Sequence, residues 1–202
     1  MNKNIKRKKF NISLLGESEV GKTRITNCYL GKEIEEINLS TIGIESYIDV
    51  AKFDGEEYKF KIYDTAGQER YRSISKSTIK ITDGFILVFS VANKQSFTLI
   101  DYWFNSIKEE IDIKKKVIYL VGNKIDLENR EVSNEEAVNY AKMKDILYFE
   151  TSARTGFGVK EVFQQLYQDI YTLFKNNKAN NNDSNDNIEL NDKKDKKKGK
   201  MC

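Results

Sequence analysis

The eight residues Gly16-Glu17-Ser18-Glu19-Val20-Gly21-Lys22-Thr23 restrict what this chain can fold into more than any other stretch. They match G-x-x-x-x-G-K-[ST], the phosphate-binding P-loop pattern, whose chemistry lies in the backbone. Glycines let the loop turn so that successive N–H groups converge on one concavity that binds anionic oxygens. A helix behind the loop adds its unsatisfied N–H groups and the positive end of its dipole. Lys22 supplies an ammonium for the outer phosphates and Thr23 a hydroxyl ligand for Mg²⁺. Such a loop needs a strand before it and a helix after it. Phe10 to Leu15 is rich in strand formers, and Thr23 to Leu30 reads as a helix that Gly31 ends.

The rest of the chain supplies the sheet. Residues 33–43 are polar, with Glu35 and Glu36 acidic. Ile44 to Phe53 and Tyr58 to Tyr63 alternate apolar and polar around Asp54-Gly55, the signature of an antiparallel hairpin. Gln68 to Asp83 is polar with weak helical spacing. Phe85 to Val91 and Val117 to Val121 are near-continuous apolar runs, which mark strands buried on both faces. Ser96 is expected to cap a helix carrying Phe97, Ile100, Phe104, Ile107 and Ile111. Ser133-Asn134-Glu135-Glu136 reads as a capping box opening a helix through Met143. Leu147 to Thr151 is the last strand. Val159 to Phe174 is the last helix, with Val162, Phe163, Leu166, Ile170, Leu173 and Phe174 on one side. Strands alternating with helices imply a mostly parallel sheet covered on both faces, with ligands outside the carboxyl ends of its strands.

Composition excludes several classes of function. The chain has no histidine, so histidine bases, metal sites and pH sensors are out. Cys28 and Cys202 make neither a disulfide framework nor a ligand cluster. Lysines gather at both ends, and the net charge is only +3, which argues against nucleic acid as the main partner. No apolar run approaches a membrane span, and the first nine residues lack the apolar stretch of a signal peptide. A cytoplasmic protein is expected. Its 202 residues fit one domain over residues 9–175, between a flexible basic segment (1–8) and an Asn/Lys-rich tail (176–202) expected to be disordered.

Three further stations follow predicted strands. Asp64-Thr65-Ala66-Gly67 puts a carboxylate where it can hold Mg²⁺ opposite Thr23. Gly67 leaves room for a backbone N–H to approach a terminal phosphate, and the Gln68 amide can orient an attacking water. In Asn123-Lys124-Ile125-Asp126, the Asp126 carboxylate can accept from N1–H and the exocyclic amine of guanine, and the Lys124 stem can lie along the base. Backbone N–H groups of Ser152-Ala153-Arg154 can donate to the guanine carbonyl. Each station alone also fits an ordinary solvated turn.

As a set, in this order and spacing, they resemble a Ras-superfamily small GTPase over about residues 9–174. The resemblance is greatest to the Rab branch, carried by Ser40-Thr41-Ile42-Gly43-Ile44, by residues 64–74 (DTAGQERYRSI) and by the basic ending with cysteine. It implies a P-loop NTPase three-layer sandwich, with a mostly parallel six-stranded sheet, one antiparallel edge strand and helices on both faces. It also implies a GTP/GDP- and Mg²⁺-binding switch that hydrolyses GTP and serves vesicle and membrane traffic. Lys22, Thr41 and Gln68 would be catalytic, with Thr23, Thr41 and Asp64 around the metal. Gly16 to Arg24, Thr41, Asp64, Gly67, Asn123, Lys124, Asp126, Ser152, Ala153 and Arg154 would line the nucleotide. No arginine inside the motifs is an obvious stabiliser of the transition state, so hydrolysis is expected to be slow without an activating protein. An exchange factor, effectors reading the two switch segments and the cytosolic face of intracellular membranes complete the expected partners of a monomer. A nucleotide-binding scaffold with negligible hydrolysis, and a signalling GTPase of another branch, remain alternatives.

The chain departs from the Rab pattern in places. Thr78-Ile79-Lys80-Ile81, Val88-Phe89-Ser90, Glu45-Ser46 and Tyr63 replace usual residues, which weakens any inference about effectors. Ile34 stands where an aromatic residue usually lies beside guanine, and Glu19 sits in the loop where small residues prevail. Both are expected to speed nucleotide release, unless Glu19 is simply solvated. Cys202 is the last residue, so neither a C-a-a-X box nor a double cysteine is present. The expected anchor is a prenyl group on Cys202 beside the lysine run; the alternative is a merely solubilising tail.

Overall fold

Strand β1 (Lys9–Leu15) occupies the middle of the sheet because its apolar residues Ile12, Leu14 and Leu15 are shielded completely from water. The computed structural model of the chain describes residues 9–32, 44–65 and 72–177. Around β1 lie β2 (Ile44–Phe53), β3 (Glu56–Thr65), β4 (Gly84–Ser90), β5 (Val117–Asn123) and β6 (Leu147–Glu150), in the order β2-β3-β1-β4-β5-β6. Every pairing is parallel except β2 with β3. Asp54 and Gly55 join that pair with φ of 50° and 80°, as a tight hairpin between twisted strands requires. All seven residues of β4 are buried, as its unbroken apolar run predicted.

Helix α1 (Lys22–Tyr29) follows β1. Then come α2 (Arg72–Ile81), α3 (Lys94–Thr98), α4 (Ile100–Glu110) and α5 (Asn134–Lys144), with a 3₁₀ turn at Ile113–Lys115. Residues 159–170 form α6. Phe85, Leu87 and Phe89 of β4 pack with Ile79, Ile100, Trp103, Phe104, Ala137 and Tyr140 from α2, α4 and α5. On the opposite face Gly84 touches Ile170 and Leu166, and the Phe60 ring of β3 lies parallel to Tyr167 at 3.8 Å. Helices therefore cover both faces, as expected for the three-layer sandwich. The chain divides into two units, 1–170 and 171–202; of the second, residues 171–177 are described and are helical.

Two caps differ from expectation. Asn93, not Ser96, caps the helix: its Oδ1 accepts from the Ser96 N–H at 2.9 Å. The Ser96 hydroxyl instead serves β4, accepting from the Ser90 N–H and donating to the Asn93 carbonyl. The helix is also interrupted at Leu99. Ser133 caps α5 by accepting from the Glu136 N–H, but the Glu136 carboxylate pairs with Lys94, so a cross-helix ion pair takes the place of the box's second bond.

Candidate functional site

The loop after β1 wraps around its own lysine. Lys22 Nζ donates to the carbonyl oxygens of Gly16 at 2.9 Å and Glu17 at 2.8 Å. Burial lowers its pKa to about 8, while the Asp64 and Glu17 carboxylates oppose the shift. The ammonium is thus mostly charged at neutral pH and fixed beneath the loop. Gly16 lies so close to β4 that a Cβ would be driven into the carbonyl oxygen of Val88, and its φ is +145°. At Gly21, with φ +98°, a Cβ would meet the Asn123 amide nitrogen, and the residue leads into α1 without a side-chain cap. With no side-chain cap, the N-terminal N–H groups of that helix are suited to receive an anion. Val20 is buried, Glu17 and Thr23 are half-buried, and Ser18, Glu19 and Arg24 are exposed. Glu19 adopts φ 63°, a left-handed conformation that costs a residue with a Cβ roughly 1–2 kcal/mol.

Asp64, near the end of β3, is fully buried, and neither carboxylate oxygen meets a donor in ordinary hydrogen-bond geometry. Burial raises its pKa to about 6, pulled back by the neighbouring Thr23 hydroxyl and the Lys22 ammonium. A buried carboxylate left this way gains its missing counter-charge by taking a cation.

The stations after β5 and β6 are tied into one frame. Asn123 Nδ2 donates to the Val20 carbonyl at 2.8 Å, and its Oδ1 accepts from the Thr151 hydroxyl and the Ala153 N–H, each at 3.1 Å. Its side chain is a strut between loops, spent largely on protein. Thr151, which carries one end of that strut, had no signal in the sequence. Ser152 Oγ donates to Asp126 Oδ1 at 2.6 Å and accepts from the Thr155 N–H. Arg154 lies 3.9 Å from the other Asp126 oxygen, with its side chain largely exposed. Lys124 adopts φ 68°, turning the chain so that Asp126 meets Ser152. Thr41, Gly67, Gln68 and Ile34 lie outside the described residues.

A sequence model of the Ras family matches residues 11–172. The chain belongs to the Ras family. Within it the chain is a Rab-like small GTPase. It is 36% identical over 159 residues to the Ras-related protein Rab-18 of Lymnaea stagnalis, covering 79% of each chain. Against Rab-13 of Rattus norvegicus it is 34% identical over 192 residues, 94% of each. Against the GTP-binding protein YPT52 of Saccharomyces cerevisiae the figures are 33% over 195 residues, 82% of this chain and 83% of the relative. Membership implies guanine-nucleotide binding and GTP hydrolysis in general terms. It also gives the residues just described a ligand to be tested against. The buried Asp64 carboxylate beside the Thr23 hydroxyl is a hard-oxygen donor set that fits Mg²⁺. The lysine-centred loop at the start of α1 fits a polyphosphate. No helix among the described residues is long and apolar enough to cross a membrane.

Proposed function

We propose that this Rab-like protein is a GTP/GDP-dependent switch in intracellular membrane traffic, hydrolysing GTP slowly by itself and faster with an activating protein. The observation that carries the reading is the fully buried Asp64 carboxylate, set against Lys22 and the Thr23 hydroxyl at the foot of α1. Thr23 and Asp64, with Thr41 from the segment before β2, would hold Mg²⁺. When bound, that ion neutralises charge on the outer phosphate oxygens. Lys22 holds a fixed positive charge against the same oxygens, and the backbone N–H groups of residues 16–24 cradle the rest. Asp126 reads the guanine edge while Ser152 keeps its carboxylate turned inward, and the Ala153 N–H with Lys124 and Arg154 completes the base site. Gln68 orients the attacking water, and Gly67 lets a backbone N–H reach the terminal phosphate. With the Thr41 and Gly67 contacts made only to a triphosphate, the two switch segments differ between states, and effectors and an exchange factor read that difference.

Single-turnover GTP hydrolysis tests this. The wild type is expected to turn over slowly, with Gln68→Leu at least about tenfold slower while still binding GTP. Equal rates in the two would reduce the protein to a nucleotide-binding scaffold.

The same proposal covers the ends of the chain. Residues 9–175 act as the monomeric switch domain. The lysine run and a prenylated Cys202 bring it to anionic cytosolic membranes, because one lipid chain alone gives only marginal binding. Protein recovered from cells with Cys202 replaced by Ser should leave the membrane fraction. Unchanged partitioning would eliminate the anchor.

A further inference from the structure

Far from the phosphate loop, one carboxylate on β2 collects two phenols from two different helices. Tyr29, the last residue of α1, donates to Asp49 Oδ2 at 2.7 Å, and Tyr167 of α6 donates to the same oxygen at 3.1 Å. Asp49 Oδ1 accepts from the Val50 N–H, so both oxygens are engaged. The rings are locked as well. Tyr29 stacks on Phe163 at 4.0 Å and meets Tyr167 edge-on, while Tyr167 stacks on Phe60 of β3. Burial, and then the Asp49 carboxylate, hold the Tyr29 phenol well above its ordinary pKa, so it stays a donor at neutral pH. A second tie lies close by: Lys32 Nζ, just past α1, sits 3.7 Å from the centre of the Tyr47 ring on β2.

Both ties join the far end of α1 to the β2–β3 hairpin. The near end of α1 carries Lys22 and Thr23, and β3 carries Asp64. Eight residues of helix make a stiff rod about 12 Å long, and Asp49 pairs in register with Phe60, four residues before Asp64. What fixes Tyr29 against Asp49 therefore fixes Thr23 against Asp64. We infer that the Tyr29–Asp49 bond is a positioning device for the cation site: it sets the spacing of Thr23 and Asp64, and through it the Mg²⁺ dependence of nucleotide release. The inference rests on the nucleotide reading above and deepens it. Tyr167 bonds the same oxygen from α6, which carries neither Thr23 nor Asp64, and so supplies an internal control.

Full-length protein loaded with a fluorescent GDP is followed during release across a Mg²⁺ series and in EDTA, with thermal unfolding measured beside it. Tyr29→Phe and Tyr167→Phe each remove one hydroxyl and keep the stacked rings, so a similar loss of thermal stability is expected in both. Tyr29→Phe should raise the Mg²⁺ concentration that half-slows release about fivefold to tenfold, less than the full worth of one hydrogen bond to a charged group because Asp49 keeps its bonds from Tyr167 and Val50, and should match the wild type in EDTA. Tyr167→Phe should stay within about twofold of the wild type throughout. Asp49→Asn, which keeps a carbonyl acceptor, should fall between them. An unmoved half-point in Tyr29→Phe overturns the inference, and so does an equal shift in both phenol variants, which would mean general loosening. Wild-type release that ignores Mg²⁺ would instead overturn the site reading, and the inference with it.

Discussion

Replacing Asp126 by Ala should cost about 10³–10⁴-fold in GDP affinity while leaving the fold intact. The size follows from what the carboxylate faces. Two guanine donors would meet one charged acceptor group, and without it both are buried with nothing to accept them. Ser152 would lose its partner at 2.6 Å too, and with it the bond that orients the base loop. Discrimination against adenine nucleotides should collapse together with affinity, since adenine lacks that donor pair. Titration of fluorescent GDP and ADP against wild type and variant checks both quantities. A variant that still binds GDP within tenfold of the wild type would mean that the base is read elsewhere.

Opposite effects are expected from two substitutions in the phosphate loop. Gly16→Ala should destabilise the protein by at least about 3 kcal/mol, because the new Cβ is driven into a backbone carbonyl of β4 that has no side chain to swing aside. Against a typical total of about 5–15 kcal/mol, much of the variant should already be unfolded at moderate urea. Glu19→Gly removes a Cβ from a left-handed position. It should stabilise the chain by less than about 1 kcal/mol, because glycine's greater freedom in the unfolded state offsets part of the relief. If Glu19 also repels the phosphates, GDP release should slow by about twofold to fivefold, a range set by its exposure to screening solvent. Urea midpoints and GDP off-rates read the two together. A Gly16→Ala midpoint equal to the wild type would contradict the packing of loop on strand.

Strands were legible in the sequence wherever burial was one-sided or complete. The alternation of β2 and β3 and the unbroken runs of β4 and β5 reflect faces that either meet water or do not, and period alone reports that. The hairpin was legible from two residues, because Asp-Gly is what positive φ selects. Caps were less so. Asn93 and Ser96 are both good caps by residue type, and only the path of β4, which needs the Ser96 hydroxyl, decides between them. Glu136 has the right spacing for a capping box, yet a lysine 42 residues away claims it. The loop after β1 and the turns after β5 and β6 stand out in the sequence because each is a run of adjacent residues. The Tyr29–Asp49–Tyr167 cluster does not, because its members lie 20 and 118 residues apart and each looks like an ordinary polar position in its own element.

The strand order has a consequence for the order in which the protein is made. β1 leaves the ribosome first, yet its two neighbours are β3 and β4, so it waits beside no partner until residue 65 and lacks its second until residue 90. At synthesis rates of about 5–20 residues per second, the wait from the end of β1 to the end of β4 is roughly 4–15 s. Throughout that interval the nascent chain carries an apolar strand with at least one open edge, followed by a loop whose Gly16 has no Val88 carbonyl to pack against. Nothing before β4 can close the phosphate cradle. Closure of the loop around Lys22 is therefore a late event in the life of the nascent chain, and Asn123 and Ala153, emerging later still, delay the frame that ties the loops together until most of the chain has been synthesised.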